Sequence, residues 1–193
     1  MIRSRSVPVL LAALLAAGCQ QSPKGDQAAR NPADILKESS AAADQVRLRS
    51  DGIEVTGAEG TYLAFDSPRD TVESELARVL GPIVDRSRNA ECGAGTVDST
   101  SFPGGLTVNF QAGRMEGWYL SDTQSVASDI ATAEGITIGK DERALDTAYE
   151  VEQIESTLGD EFTTEVGISG ILAGAEGSRI VEALYSGTTC FFR

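Results

Sequence analysis

Leu106-Thr107-Val108-Asn109-Phe110, then Gln111-Ala112-Gly113, then Arg114-Met115-Glu116-Gly117-Trp118-Tyr119-Leu120 is the stretch that decides the fold. Apolar, β-branched and aromatic residues alternate with polar ones on either side of a short glycine-containing turn, which is the pattern of an antiparallel hairpin. Strand side chains point to the two faces in turn, so of the consecutive Trp118 and Tyr119 one enters the core and the other points outward. Burial is the commoner place for a tryptophan, whereas an outward aromatic is an anchor for a partner. Trp118 and Tyr119 are therefore the candidate interface residues.

Working back from this hairpin, the clearest helical signal has Ser67 as N-cap, Pro68 at the first helical position and Asp70 at a capping-box spacing. Gly81-Pro82 stops the helix, and Val72, Leu76, Val79 and Leu80 line one face. Before it, Ile53 and Val55, a turn at Gly57-Ala58-Glu59-Gly60, and Tyr62 to Phe65 read as a short hairpin beginning at Gly52. After it, a loop-rich passage holds Cys92, Gly93, Gly95, Pro103 and Gly104. A second helix is predicted from about Lys140 to Tyr149, with a continuation through Val151 and Ile154, and a last hairpin from Ile168 to Ala173 and Arg179 to Tyr185.

These elements repeat. Phe65, Val72 and Leu76 recur at one constant spacing as Ile138, Leu145 and Tyr149; Gly105-Leu106, Arg114-Met115 and Ser121 recur at another as Gly170-Ile171, Arg179-Ile180 and Ser186. The expectation is an α+β fold: two tandem helix-plus-antiparallel-hairpin units, residues 52–122 and 132–193, forming one sheet with helices on one face. Helix followed by hairpin, twice, with Gly135-Ile136-Thr137-Ile138-Gly139 leading into the second helix, resembles the duplicated units of secreted β-lactamase-inhibitor proteins and the small lipoprotein of the outer-membrane barrel-assembly machinery.

The N-terminus fixes an expected address. Arg3 and Arg5 precede an apolar run from Val7 to Ala17, and Leu15-Ala16-Ala17-Gly18-Cys19 resembles the lipobox of bacterial prolipoproteins, with Ala16 where Leu is commoner. A membrane span needs about 20 apolar residues, roughly twice this run. The resemblance implies a signal peptide over residues 1–18, cleavage after Gly18, and acylation of Cys19 by more chains than the two signals that stable anchoring takes. Gln20, which is not Asp, implies transfer to the outer membrane, facing the periplasm. Residues 19–50, rich in Gln, Ala, Ser, Asp and Lys, are expected to be a tether with a reach on the order of 30 Å. The folded part is expected over residues 51–193.

With Cys19 assigned to lipid, Cys92 and Cys190 remain, an even number in an oxidising compartment, and they are expected to form a disulfide. The chain has 16 basic and 29 acidic residues and a formal charge of −13, which loss of Arg3 and Arg5 with the leader would make more negative. Such a chain repels phosphates, so nucleic acid is not an expected partner.

Glu91-Cys92-Gly93-Ala94-Gly95, Gly117-Trp118, Ser156-Thr157-Leu158-Gly159-Asp160-Glu161-Phe162 and Gly187-Thr188-Thr189-Cys190 are similar to a group of small Gram-negative lipoproteins, some of which carry the label aspartate-semialdehyde dehydrogenase. The residues do not supply that chemistry. It needs a dinucleotide-binding unit, a cysteine nucleophile and a base, yet the chain has no histidine, Gly93-Ala94-Gly95 lacks the third glycine, and both cysteines are claimed by the disulfide. The same lack of His leaves few ligands for a transition metal, and no calcium-loop spacing occurs. Gly167-Ile168-Ser169-Gly170 lacks the final glycine of a nucleophile elbow. Glu91 with Asp98, and Asp160 with Glu161, are acid neighbours without evident catalytic geometry. No catalytic, cofactor or metal site is assigned. The expected function is non-enzymatic: a lipid-anchored envelope protein that binds another envelope protein as an assembly factor, adaptor or inhibitor. The alternatives are a small-ligand carrier, marked by an apolar cavity between sheet and helices, and an enzyme, marked by a perturbed acid pair in a deep pocket.

Overall fold

Twelve strands and two helices are formed in a computed structural model that describes residues 45–57, 59–121, 130–154 and 156–190. In chain order they are β1 (Gln45–Arg49), β2 (Gly52–Thr56), β3 (Thr61–Ala64), α1 (Arg69–Leu80), β4 (Asp85–Asn89), β5 (Val97–Ser101), β6 (Leu106–Gln111) and β7 (Arg114–Ser121). There follow β8 (Ile130–Thr132), α2 (Glu142–Ala148), β9 (Val151–Ile154), β10 (Asp160–Thr164), β11 (Ser169–Ala173) and β12 (Ile180–Gly187). They build a four-stranded sheet of order β3-β2-β1-β8 and an eight-stranded sheet of order β4-β5-β6-β7-β12-β11-β10-β9. Every pairing is antiparallel except β1 with β8.

The expected α+β fold of two helix-and-hairpin units is overturned, because the protein is mostly β, with only two short helices among the described residues. Four strands account for the difference. Asp-Arg-Ser-Arg-Asn of β4 and Val-Asp-Ser-Thr-Ser of β5 carry almost no apolar residues, and β9 and β10 few. β4 and β9 are the two edges of the large sheet, where a strand needs a hydrogen-bonding neighbour on one side only and charged side chains guard the other. Val151 and Ile154, expected to prolong the second helix, belong to β9. The tether also ends earlier than expected: Gln45–Arg49 is a strand whose Val46 and Leu48 are buried.

The helix starts differ as well. Ser67 does not cap α1; its amide donates to Ala64 O and its carbonyl accepts from Met115 N at 3.0 Å, so Pro68 becomes the N-cap residue. α2 follows the capping rule, with the Asp141 carboxylate accepting from Ala144 N at 2.7 Å.

What recurs is a helix followed by a four-stranded meander. Pro68 bridges Arg114 as Asp141 bridges Ile180. Arg69 N donates to Gly113 O as Glu142 N donates to Arg179 O, and Met115 N donates to Ser67 O as Val181 N donates to Lys140 O. A register shift between Asn109 and Phe110 is matched by one between Ile171 and Leu172. The helix residues correspond as read from the sequence, and Val72, Leu76, Leu145 and Tyr149 are all buried. The strand residues do not: Thr107, which pairs with Tyr119, answers to Ser169, which pairs with Tyr185, whereas the sequence match would set it on Leu172. The two meanders join through β7 and β12, with Tyr119 opposite Tyr185 at the centre of five residue pairs.

One face of the large sheet carries Leu106, Trp118, Leu120, Phe162 and Leu184, which share a single core with Val72 and Leu76 of α1, Leu145 of α2, and Leu48, Ile53 and Leu63 of the small sheet. The sheets are also tied by polar bonds at the β1–β2 turn. Trp118 Nε1 donates to Arg49 O at 2.8 Å, Ser186 Oγ to Ser50 O at 2.7 Å and Phe65 N to Asp51 O at 2.8 Å, so three consecutive carbonyls are satisfied from outside the hairpin. Trp118 and Ser186 are cross-strand partners. Trp118→Phe keeps most of the apolar ring and removes the donor to the Arg49 carbonyl from a fully buried position. We expect a loss of about 1–3 kcal/mol in urea unfolding, with a smaller loss for Ser186→Ala.

Candidate functional site

Because side chains alternate, the placement of Trp118, Leu120 and Leu184 in the core sets Tyr119 and Tyr185 on the opposite face of the large sheet, away from both helices. Thr107 and Ser169 flank them in the same cross-strand row. Tyr185 donates from its hydroxyl to Glu161, whose side chain is 1% exposed. Tyr119 is half-buried.

The chain leaving β12 crosses this face as a strap. Thr188 N donates to Glu116 O at 2.7 Å, and Asn109 Nδ2 donates to Thr188 O at 2.9 Å, with Asn109 Oδ1 accepting from Ser99 Oγ at 2.8 Å. Glycine is required beneath it, since a Cβ on Gly117 would stand 2.5 Å from Thr188 O. The strap ends at Cys190, joined by a disulfide to Cys92 with the Cα atoms 5.4 Å apart. The Cys92 loop is itself bound to β6 by Gln111 Nε2 donating to Ala94 O at 2.8 Å.

On the helix side each unit carries a charge network. In the first, Glu73 takes Arg69 at 2.8 Å, Arg86 at 2.7 Å and the Thr100 hydroxyl at 2.7 Å, while Asp98 takes Arg88 at 3.1 Å. Arg69 also lies 5.2 Å above the Phe110 ring centroid. The bond from Arg86, followed by those from Thr100 and Arg69, outweighs burial and holds the Glu73 carboxyl down at about 2. In the second unit the arginine lies off the helix: Arg179, in the turn before β12, bonds Glu142 of α2 and stands 3.4 Å from Asp160.

Beside α2 an open cavity of about 550 Å³ is lined by Glu134, Ile136, Lys140, Arg143, Ala144 and Ala148 among others. Tyr149 beneath it donates from its hydroxyl to Glu134, and burial, then that bond, pushes the phenol well above its ordinary value. This recess opens to solvent beside the helix. It is neither the apolar space between sheet and helices that would mark a carrier nor a deep acid pair. Among the described residues no group of three or more His, Cys, Asp or Glu side chains could hold a metal.

Of the residues singled out in the sequence, Cys19 lies outside the described residues, as do residues 1–44, which include the expected signal peptide and most of the expected tether. Cys92 and Cys190 are brought together. Trp118, one half of the candidate interface, is fully buried and bonded to the β1–β2 turn, so only Tyr119 takes the outward position. Asp160 and Glu161 are consecutive in β10 and point to opposite faces, the first to Arg179 and the second to Tyr185. Asp98 is held by arginines, and Glu91 lies in the loop before Cys92, its amide bonded to Asn89 Oδ1. Tyr185, Lys140 and Arg143 were not legible as site residues. Tyr185 had a signal, since it occupies in the second unit the place of Tyr119 in the first. No protein-family model, curated protein or solved structure matches this chain.

Two outcomes follow. The Glu73 contribution is fully present above the ordinary carboxyl value of 4.5 and is lost as pH falls through about 2, because the unfolded state takes up a proton first. Glu73→Gln should cost about 1–2 kcal/mol near neutral pH, allowing for solvent screening at the exposed Arg86, and should flatten the acid limb of stability measured between pH 4.5 and 2. Replacing Cys92 and Cys190 together by serine should cost about 2–5 kcal/mol in chemical unfolding and speed exchange of the Thr188 amide.

Proposed function

We propose that this protein is a lipid-anchored lipoprotein of the outer membrane, facing the periplasm, that acts without catalysis by binding another envelope protein on the helix-free face of its large sheet. Anchoring is through Cys19, on the resemblance of residues 15–19 to a lipobox. The observation that carries the binding reading is the half-buried Tyr119 at the join of the two meanders, on the face turned away from α1 and α2, seated against Tyr185, which is itself buried and bonded to Glu161. Tyrosine supplies large contact area for little lost rotamer freedom and is enriched at binding hot spots. The backbone beneath is a sheet centre rather than a loop, which favours a precise interface. A strap held by a disulfide borders the same face and fixes its rim.

The test is photocrosslinking in intact cells from benzoylphenylalanine placed at Thr107 or Ser169 on this face, and at Asp70 or Asp146 on the helix side. The same envelope protein captured from both sheet positions and from neither helix position is the expected result. Capture equally from the helix side, or no adduct from the sheet, overturns the reading. Cys19→Ala should move the protein from the membrane to the soluble fraction, and retention in the membrane would remove the anchoring half of the proposal.

A further inference from the structure

We infer that the cavity beside α2 is a binding site for a small dicarboxylate-type ligand, held by Lys140 and Arg143 over an apolar floor. The first observation is the state of its cations. Arg69, Arg86, Arg88 and Arg179 are each within ion-pair distance of a carboxylate. Lys140 and Arg143, both exposed and both lining the cavity, have no such partner among the described residues. Among the described residues, two cations without an ion-pair partner in one recess depart from how the arginines named above are used.

The acids of the cavity, Glu134 and Asp141, keep their charge but make no ion pair with these cations. Glu134 accepts from the Tyr149 hydroxyl, and Asp141 caps α2 through Ala144 N at 2.7 Å. Both carboxylates are thereby turned to the protein's own donors, and neither stands within ion-pair distance of Lys140 or Arg143. Between them Ile136, Ala144 and Ala148 give the recess an apolar floor, and about 550 Å³ lies within the range of small-molecule sites. Methylene groups on that floor with a carboxylate toward each cation would match the apolar residues and the two cations of the lining.

The duplication shows that the fold does not need this pair. The matching bonds of Ser67 and Lys140 to the last strand of each unit, and of Arg69 and Glu142 to its turn, align Lys140 with Ser67 and Arg143 with Asp70. The first unit thus forms the same helix and the same strand contacts with a neutral residue and an acid in these places.

The experiment is titration of the ¹⁵N-labelled full chain, in detergent, with succinate, and with succinamide as its uncharged counterpart. Saturable shifts confined to the amides of residues 134–136 and 140–148, absent with succinamide, are expected. Lys140→Ser with Arg143→Asp, which installs the first unit's residues, should weaken succinate binding by at least about tenfold, as loss of charge-assisted bonds implies. Lys140→Gln with Arg143→Gln should do the same if the first variant does not fold. Shifts that fail to saturate, that appear equally with succinamide, or that survive in a folded variant overturn the assignment.

Discussion

The β1–β2 turn is where the two sheets become one structure. The central carbonyls of a hairpin turn are ordinarily left to water, and here Arg49 and Ser50 accept from Trp118 and Ser186 of the large sheet while Asp51 accepts from Phe65, just after β3. An amide or hydroxyl bond is worth only about 1 kcal/mol net, but a buried group left without one costs more, so these contacts set position more than they add stability. Trp118 and Ser186 face each other across β7 and β12, the strands that join the two meanders. The small sheet is therefore docked on the seam of the duplication, where any slip of β7 against β12 would move both donors out of reach. A one-residue slip of β7 would also turn Tyr119 into the core while Tyr185 kept its face.

Two copies of one unit have kept their backbone bonds and changed their chemistry. Asp98 and Asp160 occupy matching places beside the helix, and each is bound by arginine, yet Arg69 reaches Asp98 from the helix while Arg179 reaches Asp160 from the turn before the last strand. An ion pair can exchange its partners' positions while the strand ladder beneath it stays fixed, because the ladder is made by main-chain groups. The first copy alone has the Cys92 loop and receives the strap; the second alone has the recess with Lys140 and Arg143. Symmetry in the frame has thus been used to hold two unlike surfaces.

How much of this was legible depended on apolar patterning. β6, β7, β11 and α1 stood out because Val108, Phe110, Leu120, Ile171, Val72 and Leu76 recur at strand or helix periods. β4, β5, β9 and β10 did not, since strands such as Asp85–Asn89 are stabilised by neighbours remote in sequence and carry the polar residues that an edge demands. The repeat was visible in the helices, where buried positions must match, and was misaligned in the strands, where glycine and leucine coincide by chance. The disulfide followed from cysteine arithmetic and the compartment that the sequence leads one to expect. The face of Trp118 did not follow, because alternation fixes only that it differs from Tyr119. Lys140 and Arg143 gave no signal, for a charge is informative only when its partners are known.

The place of β1 in its sheet has a mechanical meaning. β1 is flanked on both sides, by β2 along five residue pairs and by β8 along three. Tension applied to the chain before Gln45, as by a tether whose far end is fixed, runs along this strand and must slide it against both neighbours at once, instead of unzipping one bond at a time from an edge. From β1 the load passes through the Arg49 and Ser50 carbonyls to the centre of the large sheet. Resistance to pulling is a matter of unfolding rate rather than equilibrium stability, and this arrangement places the pulling point where sliding, the slower failure, is the one that must occur.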